Sequence, residues 1–186
     1  MTPTLWSLFQ TSEPAALGAS SRTGALPQAE LEKQLAAATQ EPLARAVVLL
    51  WHDHLEAAHL LAQAVEGRDG SYVHGLMHRR EPDYGNAKYW LRRVGRHPTH
   101  PLLATRVAAL LAAAKADGAE LEAQLLPAGA WEPFGFVDLC EAEAGSRSGK
   151  SPAAAGRTRL LREIQRIEFE LLLDHLAGPP PGKPVT

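Results

Sequence analysis

Apolar residues recur at helical spacing along most of the chain, and no stretch alternates apolar and polar residues long enough to predict a strand. The clearest pattern lies in residues 157–176, where leucine and isoleucine recur every three to four residues with arginines between them. Prolines and glycines mark the helix boundaries. The predicted helices are 27–40, 42–66, 71–81, 84–93, 101–115, 120–126, 134–144 and 157–176.

This pattern predicts an all-α fold, a single-domain bundle of about six to eight helices over residues 27–177. Residues 1–26 mix Ser, Thr, Gly and Pro with a few apolar anchors, which indicates an irregular N-terminal arm. Residues 178–186 form a Pro-rich tail that cannot continue the last helix. The composition of residues 145–156 predicts a flexible surface loop.

Charge and cysteine content narrow the function classes. A formal net charge of -2 and a pI near 6.4 argue against a general nucleic-acid binder and against a membrane-surface protein. The N-terminal sequence has no basic region followed by a long apolar run, so no targeting or membrane segment is expected. Cys140 is the single cysteine and cannot form an internal disulfide. We therefore expect a cytoplasmic protein.

The candidate chemistry lies in the histidines, because seven of the eight fall between His52 and His100. In the helix predicted over 71–81, His74, His78 and Glu81 are spaced i, i+4 and i+7 and share one stripe. Two histidines four residues apart on a helix can reach one Zn²⁺ or Fe²⁺. Gly75 stands where HExxH proteases carry Glu, so that mechanism is not supported. A glycine there also predicts close approach by a neighbouring helix or a ligand.

The helix predicted over 42–66 adds a second set of polar residues. Glu56 and His59 have the Glu-x-x-His spacing that lets a carboxylate and an imidazole reach a common metal. The chain has no second Glu-x-x-His pair, so a dinuclear carboxylate site is not expected. On a helical wheel the flank of this helix carries His52, Glu56, His59, Gln63 and Glu66.

The helix predicted from residue 84 presents a polar face that is expensive to bury unless its hydrogen bonds are satisfied. We expect this face to form a pocket wall in which Arg79, Tyr89 and Arg93 bind an anionic ligand and Glu81 or Asp83 orients a histidine. Arg80, Lys88 and Arg92 are expected to be solvated, and His52, His97 and His100 to have surface roles. The residues of the polar face are Asn86, Tyr89, Trp90 and Arg93.

Residues 51–98 resemble a known family. The segment WHDHLEAAHLLAQ, followed by GSYVHGLMHRREPDYGNAKYWLRRVGRHP, is similar to a family of small helical proteins from bacteria and fungi. The string HxxxHRREPDYxNAKYWxRR is long enough to be specific. The resemblance implies common ancestry and a helical fold, and it implies no activity, cofactor or catalytic residue.

The sequence thus supports a binding protein for a small polar or anionic molecule. His59, His74, His78 and Glu81 would act as acid/base groups, or the three histidines as ligands of one Zn or Fe ion with Glu56 as a weaker candidate. Histidines beside carboxylates suit hydrolase or lyase chemistry. The alternative is a non-catalytic binding or scaffold protein in which the same residues form a structural polar network.

Overall fold

The computed structural model describes residues 3–20, 22–145, 152–180 and 182, and within these ranges the regular structure is entirely helical. The described part contains ten α-helices and a short 3-10 turn at Pro127–Gly129. The helices are α1 (Leu5–Phe9), α2 (Gln28–Ala38), α3 (Pro42–Trp51), α4 (Leu55–Ala62), α5 (Arg68–Arg80), α6 (Tyr84–Val94), α7 (His100–Ala113), α8 (Ala116–Leu125), α9 (Pro133–Gly145) and α10 (Pro152–Ala177).

Helix α10 contributes to both hydrophobic clusters of the core. Its C-terminal half packs Phe169 and Leu172 against a cluster built mainly from α1 to α6. Its N-terminal half packs Leu161 and Ile164 against a second cluster from α7, α8 and α9. With 26 residues the helix is about 39 Å long, which lets it serve both clusters. None of the helices within the described ranges has the length and apolarity needed to cross a membrane.

The prediction of one continuous helix over 42–66 is wrong, because the chain breaks between α3 and α4. Asp53 has a φ of 68°, and all three side chains of the break bind the N-terminal arm. His52 Nδ1 accepts from Leu26 N at 3.0 Å, and its Nε2 lies 2.8 Å from Leu8 O. The expected surface role of His52 is therefore also wrong, since its side chain is buried against the arm.

The N-terminal arm is more regular than predicted. Thr4 and Ser7 form a capping box that starts α1, and the apolar anchors Leu8 and Phe9 are buried. The Phe9 ring lies 4.3 Å from the Trp51 ring. This extra helix and the division of 42–66 explain why the described residues hold more helices than the six to eight predicted.

The loop predicted over 145–156 is wrong at its C-terminal end, where α10 already begins at Pro152. A proline fits the first turn of a helix, because the N–H that it lacks would have no partner there. Residues 146–151 lie outside the described part of the chain, as do 181 and 183–186 of the predicted tail.

Arg80 is buried, so the expectation that its side chain is solvated is wrong. Its guanidinium donates to the Leu50 carbonyl, to Asp53 Oδ1 at 2.7 Å and to Gly18 O at 3.1 Å. Arg80 thereby ties α5 to the break after α3 and to the arm. Lys88, by contrast, is partly exposed and pairs with Asp138.

Candidate metal centre

Three imidazoles converge where α4 packs against α5. His59 comes from α4, and His74 and His78 come from successive turns of α5. One nitrogen of each ring can be chosen so that all three lie within 4.8 Å of one another. His74 is 4% exposed and His78 is 7% exposed, while His59 is partly exposed. The structure thus brings together the three histidines that the sequence selects as possible metal ligands.

Two glycines make this arrangement possible. A Cβ on Gly70 would lie 1.9 Å from Val65 O, so the first turn of α5 can pack against the chain after α4 only with a residue that has no side chain. A Cβ on Gly75 would lie 2.8 Å from Leu91 Cγ, so α6 approaches α5 beside the histidine stripe. The close approach predicted from Gly75 is therefore confirmed, and the neighbour is a helix.

Helix α6 supplies the wall of the site. The Trp90 ring stacks on the His74 ring, with 4.2 Å between the ring centres and 6° between the ring planes. This stacking fixes the orientation of the imidazole. The Arg93 guanidinium carbon lies 5.4 Å from the Trp90 ring centre and 6.0 Å from that of Tyr89. Arg93 and Tyr89 are exposed, so a cation and a phenol stand at the rim.

Polar groups surround His78 in particular. Asn86 Nδ2 lies 3.3 Å from His78 Nε2, and Glu81 Oε2 lies 3.3 Å from His78 Nδ1. Asp83 Oδ2 is 4.0 Å from the same Nδ1, but Asp83 also accepts from Asn86 N at the start of α6. The Glu81 carboxylate beside Nδ1 matches the outer partner that orients a metal-binding histidine, which leaves Nε2 as the nitrogen that faces a metal.

Two carboxylates complete the possible ligand set. One carboxylate oxygen of Glu56, one of Glu81 and one ring nitrogen of His59 all lie within 4.8 Å of one another. Glu56 is exposed and Glu81 is partly exposed. The break before α4 leaves the i, i+3 pairing of Glu56 and His59 intact, because both residues follow it.

The surroundings favour neutral imidazoles at the centre. Burial, reinforced by the neighbouring His59 and His78, lowers the pKa of His74 to about 4. Burial also lowers the pKa of His78, although Glu81 and Asp83 oppose this shift. A neutral imidazole has a free lone pair, which is the form that binds a metal.

Hydrogen bonding separates these rings from an ordinary polar network. In the described part of the chain, neither His59 nor His74 has a hydrogen bond to an imidazole nitrogen. Buried polar groups are normally hydrogen-bonded, and His78 Nδ1 is a buried ring nitrogen without a hydrogen bond among the described residues, so this atom requires an explanation. Three imidazoles with nearby carboxylates are a recognised donor set for Zn²⁺ or Fe²⁺. The cluster could therefore hold one such ion.

Two of the predicted ligand-binding residues do not join the cluster. Arg79 is buried on another side of α5, where its Nη2 donates to Glu168 Oε2 at 2.6 Å on α10. The Phe136 ring covers its guanidinium carbon at 4.4 Å. The expectation that Arg79 contacts a ligand is therefore wrong for this site, since the guanidinium is enclosed. Gln63 is exposed at the C-terminal end of α4.

A second group of potential ligands was missed by the sequence analysis. Asp69, His97 and His175 each offer a ligand atom within 4.8 Å of the others. Asp69 Oδ1 lies 2.9 Å from His97 Nε2 and 3.3 Å from His175 Nε2, and His97 Nδ1 lies 2.8 Å from Thr99 Oγ1. The expected surface role of His97 is wrong, because the residue is buried in this network. Its members come from three separate elements, so no local spacing in the sequence predicts this group.

Comparison of the chain with protein-family models, with curated proteins and with solved structures finds no match. The function is therefore inferred from the geometry of the chain itself.

Proposed function

We propose that the protein binds one divalent transition metal, zinc or iron, through His59, His74 and His78. The observation that carries this proposal is the convergence of three imidazoles, two of which have no hydrogen bond to a ring nitrogen among the described residues. About 3.4 Å separates two donors of a tetrahedral zinc site, so modest ring rotations bring the cluster to that geometry.

The open side of the cluster would bind a small polar or anionic molecule. Arg93 and Tyr89 are the exposed groups at the rim, and Asn86 lies beside His78. A guanidinium favours carboxylate or phosphate. Trp90 holds the His74 ring by stacking and positions it without contacting the reacting atoms.

Hydrolase or lyase chemistry is the activity that this arrangement supports best. A bound metal would supply a Lewis acid that polarises a substrate oxygen. Glu81 and Glu56 are the carboxylates within reach of the cluster and would accept and return a proton during such a reaction. Arg93 would hold the anionic part of the substrate.

The alternative is a non-catalytic scaffold in which the same residues form a structural polar network. The contacts of His78 with Asn86 and Glu81 favour it. The same network would have to satisfy His59 and His74 as well, and the described residues give their ring nitrogens no hydrogen bond. We therefore place the metal-binding function first.

Metal analysis of protein purified without a histidine tag tests the proposal. We expect close to one equivalent of zinc or iron, which is lost in His74→Phe, a variant that keeps a ring against Trp90 but has no donor nitrogen. His175→Gln is the matched control and should retain the metal. Metal-free wild-type protein that also fails to take up added zinc would contradict the proposal.

Anion binding is tested on the metal-loaded protein. Acetate and phosphate should perturb the visible spectrum of the cobalt-substituted protein, and Arg93→Gln should weaken this effect by about threefold to tenfold. An unchanged response in Arg93→Gln would remove that residue from the binding site while leaving the metal site in place.

A further inference from the structure

A second concave site lies against a different face of α6 from the histidine cluster. It has a volume of about 630 Å³, within the range of about 300 to 1,000 Å³ that is typical of small-molecule sites. Its wall combines the end of α6, the turn before α7, the first turns of α7 and residues 129–134, which lead into the start of α9. None of the three clustered histidines lines it.

The wall offers a mainly apolar surface. Leu91, Ala104, Trp131 and Phe134 contribute to it. Trp131 is buried, and its ring packs edge-on against Phe136 at 5.5 Å, which holds the indole in place. Such a surface suits the apolar body of a ligand, because its burial removes apolar area from water.

Two wall residues carry a buried nitrogen that has no hydrogen-bond partner among the described residues. These nitrogens are Trp131 Nε1 and His100 Nε2. An indole nitrogen is only a donor. His100 Nδ1 accepts from His97 N at 3.4 Å, and burial lowers the pKa of His100 to about 4, so the neutral ring carries its proton on Nε2. Both orphaned atoms are thus donors, and they lack an acceptor.

The charged residues of the wall are mainly cationic. Arg92 and Arg96 are exposed and line the cavity, and neither has an ion-pair partner within the described ranges. The Arg92 guanidinium carbon lies 5.7 Å from the centre of the Phe134 ring. Glu132 also lines the cavity, but its Oε1 already accepts from Phe134 N at the start of α9. The site therefore favours a ligand with a negative charge.

We propose that this cavity binds a small amphipathic organic anion. Its apolar body lies against Trp131 and Phe134, and its acidic group is held by Arg92 and Arg96. The orphaned N–H groups of Trp131 and His100 supply further donors once the side chains adjust to the ligand. This binding is independent of the metal centre, and a protein without metal should retain it.

A pair of fluorescent probes tests the proposal. Anilinonaphthalenesulfonate is an aromatic anion, and N-phenylnaphthylamine is a neutral molecule of similar shape. We expect the wild-type protein to bind the anion saturably at one site. Arg92→Gln and Arg96→Gln should each weaken its binding by about threefold to tenfold while binding of the neutral probe changes less than twofold. Both arginines are exposed, so neither variant is expected to disturb folding.

Further variants locate the site and control for charge. Lys33→Gln removes an exposed cation on α2, away from the cavity, and should leave both probes unaffected. Ala104→Phe fills the cavity and should remove both probes, with circular dichroism confirming the fold. Trp131→Phe keeps the aromatic surface and should weaken only the anionic probe. Equal binding of the anionic probe to wild-type, Arg92→Gln and Arg96→Gln protein would overturn the proposal, and so would an equal loss of both probes in the arginine variants.

Discussion

Two groups of histidines contact α5, and they differ in how their ring nitrogens are satisfied. In the group of His97, His175 and Asp69, both nitrogens of His97 have partners, which are Asp69 on one side and Thr99 on the other. In the cluster of His59, His74 and His78, His78 is the one ring with polar side chains near its nitrogens among the described residues, and even its buried Nδ1 has no hydrogen bond there. Ligand atoms lie within 4.8 Å of one another in both groups, so proximity alone does not distinguish them.

Hydrogen bonding, more than distance, therefore distinguishes a structural network from a potential metal site. A buried imidazole whose two nitrogens both have partners must give up one of those hydrogen bonds when it binds a metal. A buried imidazole without partners gains contacts on binding. We therefore expect a metal ion to bind the cluster of His59, His74 and His78 in preference to the group of Asp69, His97 and His175.

The largest effect should come from the buried ion pair that anchors α5, on which both groups depend. Glu168→Gln leaves the Arg79 charge buried without its carboxylate, and breaking such a pair costs about 3 to 5 kcal/mol. Denaturant unfolding measures this loss. Glu170→Gln, which affects the more exposed pairs with Arg106 and Arg166, is the control and should cost less than about 1 kcal/mol per pair. Equal stability losses in the two variants would show that Glu168 does not anchor the helix.

Loss of one ligand should weaken zinc binding strongly at the cluster of His59, His74 and His78. His78→Ala removes one of three donors, and we expect the zinc affinity to fall by at least about a hundredfold. Competition with a chromophoric chelator gives the affinity. His97→Ala should change this affinity less than about threefold, provided that the variant is folded. If His97→Ala weakened zinc binding as much as His78→Ala, the assignment of the two groups would be reversed.

The stability of the metal-free protein should show the opposite order. His97→Ala removes a buried ring with hydrogen bonds to Asp69 and Thr99 and should lower the free energy of unfolding by about 2 kcal/mol. His59→Ala removes a partly exposed ring without such bonds and should cost less than about 1 kcal/mol. Urea unfolding in the presence of a chelator compares the two. A larger cost at His59 would mean that its imidazole has a structural role.

A smaller effect is expected in the pH dependence of stability. His100 lies beside His97, and its burial lowers its pKa from 6.5 to about 4. The unfolded chain then binds the proton more tightly, so the free energy of unfolding should fall as the pH decreases from 6.5 towards 4. His100→Asn should reduce this fall in urea unfolding at several pH values. A pH profile identical to that of the wild type would show that His100 titrates normally.

The sequence predicts the parts of the structure that depend on local patterns. The all-helical fold follows from helical periodicity, and the convergence of His74 and His78 follows from their spacing on one helix. Gly75 correctly signals a close helical neighbour. The role of His59 depends on the packing of α4 against α5. The polar residues that the two segments share are consistent with this packing, but they do not predict it.

The parts that the sequence analysis missed depend on contacts between distant residues. The break at residues 52–54 is stabilised by hydrogen bonds to the N-terminal arm, and these override the apolar periodicity of the segment. Arg79 and Arg80 occupy positions typical of a solvated face, but Glu168 and Asp53 make their burial possible. The network of Asp69, His97 and His175 forms only when three elements meet. The family resemblance and the cytoplasmic location stay predictions.

The most direct test is a cobalt titration of metal-free protein, because the visible spectrum reports both binding and coordination geometry. We predict that one equivalent gives the intense absorption of a tetrahedral or five-coordinate site in the wild type and in His175→Gln, and that the absorption is absent in His74→Phe. A spectrum that is lost in His175→Gln and kept in His74→Phe would contradict the account, as would a wild-type protein that binds no cobalt.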